Sequence, residues 1–292
     1  MKYVTVEYEG QKPGVLSQEG KSVILLEALG KDYRTLNSFI ESHTEEDVEK
    51  LEELASRNDG IPCEKARLLS PIPRAKHDIL CVGVNYVSHL EETKSHFFDG
   101  KFETPVKTVY FGKRASWITG PEEPINGHLD IDSSLDYEVE LAVIIGKTID
   151  GSVPYEKLGS YVFGYSVFND ISARRLQSDH NQWYLGKSLD GFSVMGPWIV
   201  SADMIPFNGA LDIESRVNGE VRQHSNTQLM RMNVADIIYE LSRGITLEPG
   251  DIIATGTPSG VGGGFTPPRF MKASDVVEAE IEGIGILRNT IR

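Results

Sequence analysis

Strand-like segments dominate this chain, and helices do not alternate with them. DILCVGVNY, PVKTVYFG, YEVELAVIIG, YVFGYSVFN, GPWIVS, LDIESRVNGEVRQ, DIIATG and the closing VVEAEIEGIGILRN all read as strands. Between them stand few helical segments. One follows DILCVGVNY and carries His89, a short one opens at Asp170, and NVADIIYELSRG is capped by Asn233 and stopped by Gly244. A doubly wound parallel sheet needs a helix after nearly every strand, so the order argues against it and for an α+β fold. Asn218-Gly219 inside VNGEV is a hairpin turn.

The first 70 residues read as a small α+β domain. KYVTVEYEG and SVILLEA are strands, and Thr44 caps a helix running to about residue 57. Val48, Leu51 and Ala55 form its apolar stripe, with Leu54 at the edge. NDGIPCEKARLLSPIPR, residues 58 to 74, is rich in Gly and Pro and reads as a linker. Residues 71–292 then form a second, larger domain. A chain of 292 residues with 40% hydrophobic content buries a core without disulfides or structural zinc. Cys63 and Cys81 are accordingly expected to be buried, reduced thiols of a cytoplasmic protein. The N-terminus lacks a signal-peptide core, and no apolar run approaches the ~20 residues of a membrane span. A net charge of −14 argues against nucleic acid and anionic membranes as partners, and it favours divalent cations.

In LDYEVELAVIIG, strand alternation puts Glu138, Glu140, Ala142 and Ile144 on one side and Val139, Leu141, Val143 and Ile145 on the other. The two carboxylates either face solvent from an edge strand or bind a hard divalent cation. In FNDISARRLQ, Asp170, Arg174 and Gln177 share a face if Asp170 opens a helix. Asp170 is then either an N-cap with a surface arginine nearby or a metal ligand beside two oxyanion donors. His89 and Glu92 meet at i, i+3, as an exposed ion pair or as a base with its orienting carboxylate. Lys187, in WYLGKSLDGF, is a surface lysine or a cation aimed at a carboxylate. GTPSGVGGG lacks the ending of a phosphate loop and reads as a tight loop that brings Thr257 to a ligand.

Taken together, VGVNYVSHLEE, DYEVELAVIIGK, FNDISARRLQ, GKSLDGFSVMGPW, VNGEVRQ, LEPGDIIATGTPSGVG and DVVEAEIEGIGILRN resemble the fumarylacetoacetate hydrolase family, in family order from about residue 76 to the end. The resemblance implies a mixed β-roll, barrel-like catalytic fold, α+β overall, and a homodimer. It implies Mg²⁺ or Mn²⁺ (Ca²⁺ in some members) held by Glu138, Glu140 and Asp170. It assigns His89, Glu92 and Lys187 to catalysis, and Arg174, Gln177 and Thr257 to substrate binding. The expected substrate is a small 2-oxo or 2,4-dioxo acid. The expected reaction is hydrolytic C–C cleavage of an acylpyruvate through a metal-stabilised enolate, with water activated by His89 and Glu92. The alternatives are oxaloacetate decarboxylation, isomerisation or tautomerisation of a 2-hydroxy-dienoate, and an inactive metal-binding module. Residues 87 to 104 are expected to form a lid. Selectivity is expected in that lid, the 120s loop and GVGGGFTPPRF, where Arg269 reads a distal carboxylate or is simply solvated.

Overall fold

The computed structural model describes residues 1–96, 107–180 and 182–292. Its architecture is α+β, with a large sheet that is mixed, Ile252–Ala254 running parallel to Ile79–Gly83. Among the described residues the largest sheet has eleven strands. Its path runs Ile61–Pro62, Ser22–Leu25, Gln11–Leu16, Lys2–Glu7, Ser193–Ser201, Val162–Asp170, Val139–Ile145, Ile252–Ala254, Ile79–Gly83 and Val109–Lys113, and Arg67–Leu69 also pairs with Lys2–Glu7. The path is open at both ends, so the roll does not close into a barrel among these residues. A second sheet orders Glu220–Asn226, Asp212–Val217, Val276–Ile281 and Gly285–Thr290.

The alternation expected in the Val139–Ile145 strand holds. Val139, Leu141, Val143 and Ile145 pack into a core with Ile213, Val277 and Leu287 of the second sheet and with Ile237 and Ile238 of the helix Val234–Ser242. Ala142 and Ile144 pack on the other side, with Phe39, Ile40 and Leu51 from the N-terminal helices. The N-terminal helices therefore share one apolar core with the face of the strand that also carries Glu140.

The N-terminal region joins the large sheet directly, because Tyr3 pairs with Ile199. The stretch read as a linker carries the strands Ile61–Pro62 and Arg67–Leu69. Sequence reading missed the strand Gln11–Leu16, which holds Pro13 and Gly14, and the helix Leu36–Ser42. Cys81 is buried as expected, but Cys63 is half-exposed; both are free thiols. Of the proposed lid, the helix Val87–His96 is described and residues 97–104 lie outside the described residues. No described helix is long and apolar enough to cross a membrane.

The helix Glu45–Arg57 begins at a capping box in which Thr44 and Asp47 exchange hydrogen bonds. Asp47 is buried and also accepts from Tyr33 at 2.7 Å and pairs with Lys31 at 2.7 Å. Burial pushes its carboxyl up, but Lys31, Thr44 and Tyr33 outweigh burial and hold it below the usual carboxylate range. Asp47→Ala is expected to lower stability by about 2 kcal/mol at neutral pH. A depressed folded-state pKa gives a contribution that is full above the unfolded value of about 4 and is lost as pH falls. Urea unfolding at pH 7 and pH 3 checks this: the gap between wild type and variant should narrow in acid, and an equal gap would refute it.

Candidate active site

Strand register brings the three predicted carboxylates together. Phe168 pairs with Glu140 and Asn169 with Val139, so Asp170 falls beside Glu138, whose carbonyl accepts from the Asp170 N–H at 2.9 Å. Asn169 Oδ1 accepts from the Glu138 N–H at 3.0 Å and fixes the approach. One oxygen from each of Glu138, Glu140 and Asp170 lies within 4.8 Å of the others. All three residues are buried, which excludes the solvent-facing edge strand.

Asp170 is not a helix cap. It ends the strand Val162–Asp170, Ser172–Ala173 pairs with Leu135–Asp136, and the helix begins only at Arg174. The shared helical face inferred for Asp170, Arg174 and Gln177 is therefore wrong, although all three reach the site. Pairing of Asp170 with Ser193 carries the strand one residue further than the Asp suggested.

Lysines and an arginine neutralise much of the cluster. Lys187 Nζ donates to Glu138 Oε2 at 2.8 Å and to Asp170 Oδ2 at 2.7 Å. Lys113 donates to Asp170 Oδ1 and, at 2.9 Å, to the Ile171 carbonyl. Arg174 Nη1 meets Glu138 Oε1 at 2.6 Å. Burial pushes Glu138 up, but Lys187, Arg174 and His89 hold it well below the usual carboxylate range. Burial works against the Lys187 charge, and Asp170 and Glu138 overcome it to raise its pKa. Lys113 goes the other way: burial lowers it, and Asp170 offsets only part of that.

Glu140 is different. It makes no ion pair among the described residues and accepts from the Gly256 N–H at 2.8 Å. Burial first, then Asp170 and Glu138, push its carboxyl well above the ordinary value. A buried carboxylate without a cation is costly. Three converging oxygen ligands with this unbalanced charge fit a divalent cation.

The His89–Glu92 pair adjoins the same pocket. His89 is 7% exposed, so the exposed ion pair is excluded. Its Nδ1 meets Glu92 Oε2 at 2.8 Å, and Glu92 Oε1 accepts from the Gly260 N–H at 2.8 Å. With Nδ1 committed to Glu92, Nε2 is the nitrogen left to take a proton. A pocket is lined by His89, Glu138, Glu140, Arg174, Gln177, Lys187 and Thr257, with Phe111 and Trp183 as apolar walls. Thr257 is buried and donates to the Val139 carbonyl at 2.9 Å. Arg269 lies outside that pocket and pairs with Glu220 at 2.6 Å.

Sequence reasoning missed Lys113, Asp136, Gln223, Phe111 and Trp183. Gln223 is buried, accepts from the Val139 N–H at 3.1 Å, and donates to Thr257 Oγ1 at 2.7 Å and to the Pro258 carbonyl at 2.8 Å. It ties the Thr257 loop to the carboxylate strand. Asp136 was legible only as one more acid in DYEVE.

The family model described as "Fumarylacetoacetate (FAA) hydrolase C-terminal" matches residues 78–292. Over 227 residues the chain is 43% identical to the oxaloacetate tautomerase YisK of Bacillus subtilis strain 168, covering 78% of this chain and 73% of that protein. A fumarylacetoacetate hydrolase from psychrophilic Exiguobacterium antarcticum superposes with a TM-score of 0.81 at 39% identity, covering 100% of this chain and 99% of that one. A maleylpyruvate hydrolase from Sphingobium sp. SYK-6, solved with manganese(II) and pyruvate, superposes with a TM-score of 0.78 at 28% identity, covering 100% and 98%.

Proposed function

This chain belongs to the fumarylacetoacetate hydrolase family, and from that premise we propose that it transfers a proton at the carbon beside the keto group of a short 2-oxo acid, interconverting the enol and keto forms of oxaloacetate. The observation that carries this reading is the His89–Glu92 pair at 2.8 Å on a pocket shared with the buried carboxylates. The tautomerase relative supports the choice of substrate.

Glu138, Glu140 and Asp170 would hold the divalent cation, Mn²⁺ or Mg²⁺. Such a cation supplies Lewis acidity toward the carboxylate and keto oxygens of the acid. His89 Nε2 takes the C3 proton from the keto form and delivers it to the C2 oxygen to give the enol; in the other direction it takes the enol O–H proton and delivers it to C3. Glu92 stabilises the imidazolium in between. Arg174, Gln177 and Thr257 bind the acid, and Lys187 holds Glu138 and Asp170 in place beside it. Phe111 and Trp183 keep the reacting carbon away from bulk water. No C–C single bond is broken. A cytoplasmic homodimer completes the proposal, on the strength of the family resemblance.

Hydrolytic C–C cleavage, placed first from sequence, stands as the second reading. The same dyad can activate water, and a maleylpyruvate hydrolase shares the fold. The test is a paired assay with Mn²⁺ and with EDTA. Loss of enol absorbance from oxaloacetate and release of pyruvate from acetylpyruvate are followed side by side. EDTA-sensitive ketonisation without pyruvate release is the expected result. Pyruvate release from acetylpyruvate would move the assignment to hydrolysis, and inertness toward both would defeat the proposal.

A further inference from the structure

Asp136 is fully buried beside the site. Its Oδ1 accepts from the N–H groups of Tyr137 at 2.9 Å and Gly262 at 2.6 Å. Its Oδ2 accepts from the Gly263 N–H at 2.9 Å and from Arg174 Nε at 2.8 Å. A carboxylate has about four lone-pair sites, so Asp136 has none left for substrate or cation. Its work is to hold other groups.

Two different parts of the pocket meet through it. On one side is Arg174, whose Nη1 also reaches Glu138 at 2.6 Å and Gln177 Oε1 at 3.0 Å. On the other is the glycine loop that seats the base. Gly260, at φ +104°, donates to Glu92. A Cβ on Gly264 would stand 2.0 Å from that same Glu92 oxygen. Tyr137, the neighbour of Asp136, donates its hydroxyl to the Gly260 carbonyl at 2.9 Å. One carboxylate thus anchors both the arginine and the loop against which Glu92 rests.

We propose that Asp136 is a positioning residue: it sets Arg174 and, through the amides of Gly262 and Gly263, the seat of the His89–Glu92 pair, so that acid-binding group and base stand in register. This rests on the proton-transfer reading above. Asp136→Asn keeps the shape but turns an NH₂ group toward donors. It is expected to lower kcat for oxaloacetate ketonisation about 10- to 100-fold and raise KM about tenfold. Mn²⁺ affinity by calorimetry should stay within about threefold, because no cation ligand is touched. Gly264→Ala has no positive φ to strain, and the three atoms nearest the new Cβ all belong to Glu92. It should lower kcat about 10- to 100-fold while leaving KM and Mn²⁺ affinity near wild type. In both variants amide exchange along Val87–His96 should accelerate.

Unchanged kcat, KM and exchange in either variant would overturn the proposal. So would an Asp136→Asn loss of Mn²⁺ affinity in proportion to activity, which would make Asp136 a support of the carboxylate cluster instead. If Asp136→Asn fails to fold, Asp136→Glu, which keeps the charge but displaces the carboxylate from the Gly262 and Gly263 amides, decides by the same readouts. A wild type inert toward 2-oxo acids would defeat the function assigned above, while the exchange measurements would still decide this inference.

Discussion

His89→Ala is expected to reduce kcat for oxaloacetate ketonisation by about 10³-fold, within the span usual for loss of a general base. The ring lines the pocket with Nδ1 bound to Glu92, which leaves Nε2 for the proton transfer proposed above. Alanine leaves Glu92 tied to Gly260 but gives it nothing to orient. Mn²⁺ affinity should change by no more than about twofold, because His89 is outside the ligand set. The same variant separates the chemistries. Under the second reading, acetylpyruvate hydrolysis needs an activated water and would vanish with His89, whereas any oxaloacetate decarboxylation needs none and would be spared. Equal loss of hydrolysis and decarboxylation would refute that division. A kcat within threefold of wild type would remove His89 from the mechanism altogether.

What could be read from the sequence was what period and local spacing determine. Alternation in YEVELAVIIG placed Glu138 and Glu140 on one face, and the structure shows the same face carrying Ala142 and Ile144 into the core. The i, i+3 spacing of His89 and Glu92 likewise survives as a direct contact. Whether those faces meet solvent or a pocket depends on tertiary packing, which buries both Glu138 and Glu140. No local pattern encodes that. Asp170 shows where local preference misleads, since Asp is a favoured cap but here a strand pairing with Ser193 holds it extended. Lys113 and Asp136 were invisible for a different reason. Each acts on a partner 57 or 38 residues away in the chain, Asp170 and Arg174 respectively, and only strand pairing brings them together. The Gln11–Leu16 strand was hidden by Pro13 and Gly14, which weaken a strand in isolation but are tolerated in this antiparallel pairing with Lys2–Glu7.

Glu140→Gln is expected to have opposite effects on metal-free stability and on activity. Glutamine matches the shape and retains an acceptor for the Gly256 N–H. It removes a buried negative charge that faces Glu138 and Asp170 and makes no ion pair among the described residues. Without a cation the wild type must either carry that charge uncompensated or take up a proton, and both cost stability. The metal-free variant should therefore unfold at higher urea than metal-free wild type, by about 1–2 kcal/mol. Adding Mn²⁺ reverses the order. A ligand that binds only the folded state stabilises in proportion to the logarithm of its concentration over Kd. Wild type should gain that increment and the variant should not. Ketonisation by the variant should fall at least about 10³-fold, because the Lewis acid is no longer held. Lys187 and Lys113 should remain on Asp170 in both forms, since their ion pairs do not involve Glu140. The urea midpoint of both proteins, with and without Mn²⁺, checks all of this at once. An undiminished Mn²⁺ shift in Glu140→Gln would mean that the cation binds elsewhere. A variant less stable than wild type without metal would mean that Lys187, Lys113 and Arg174 already balance the whole cluster.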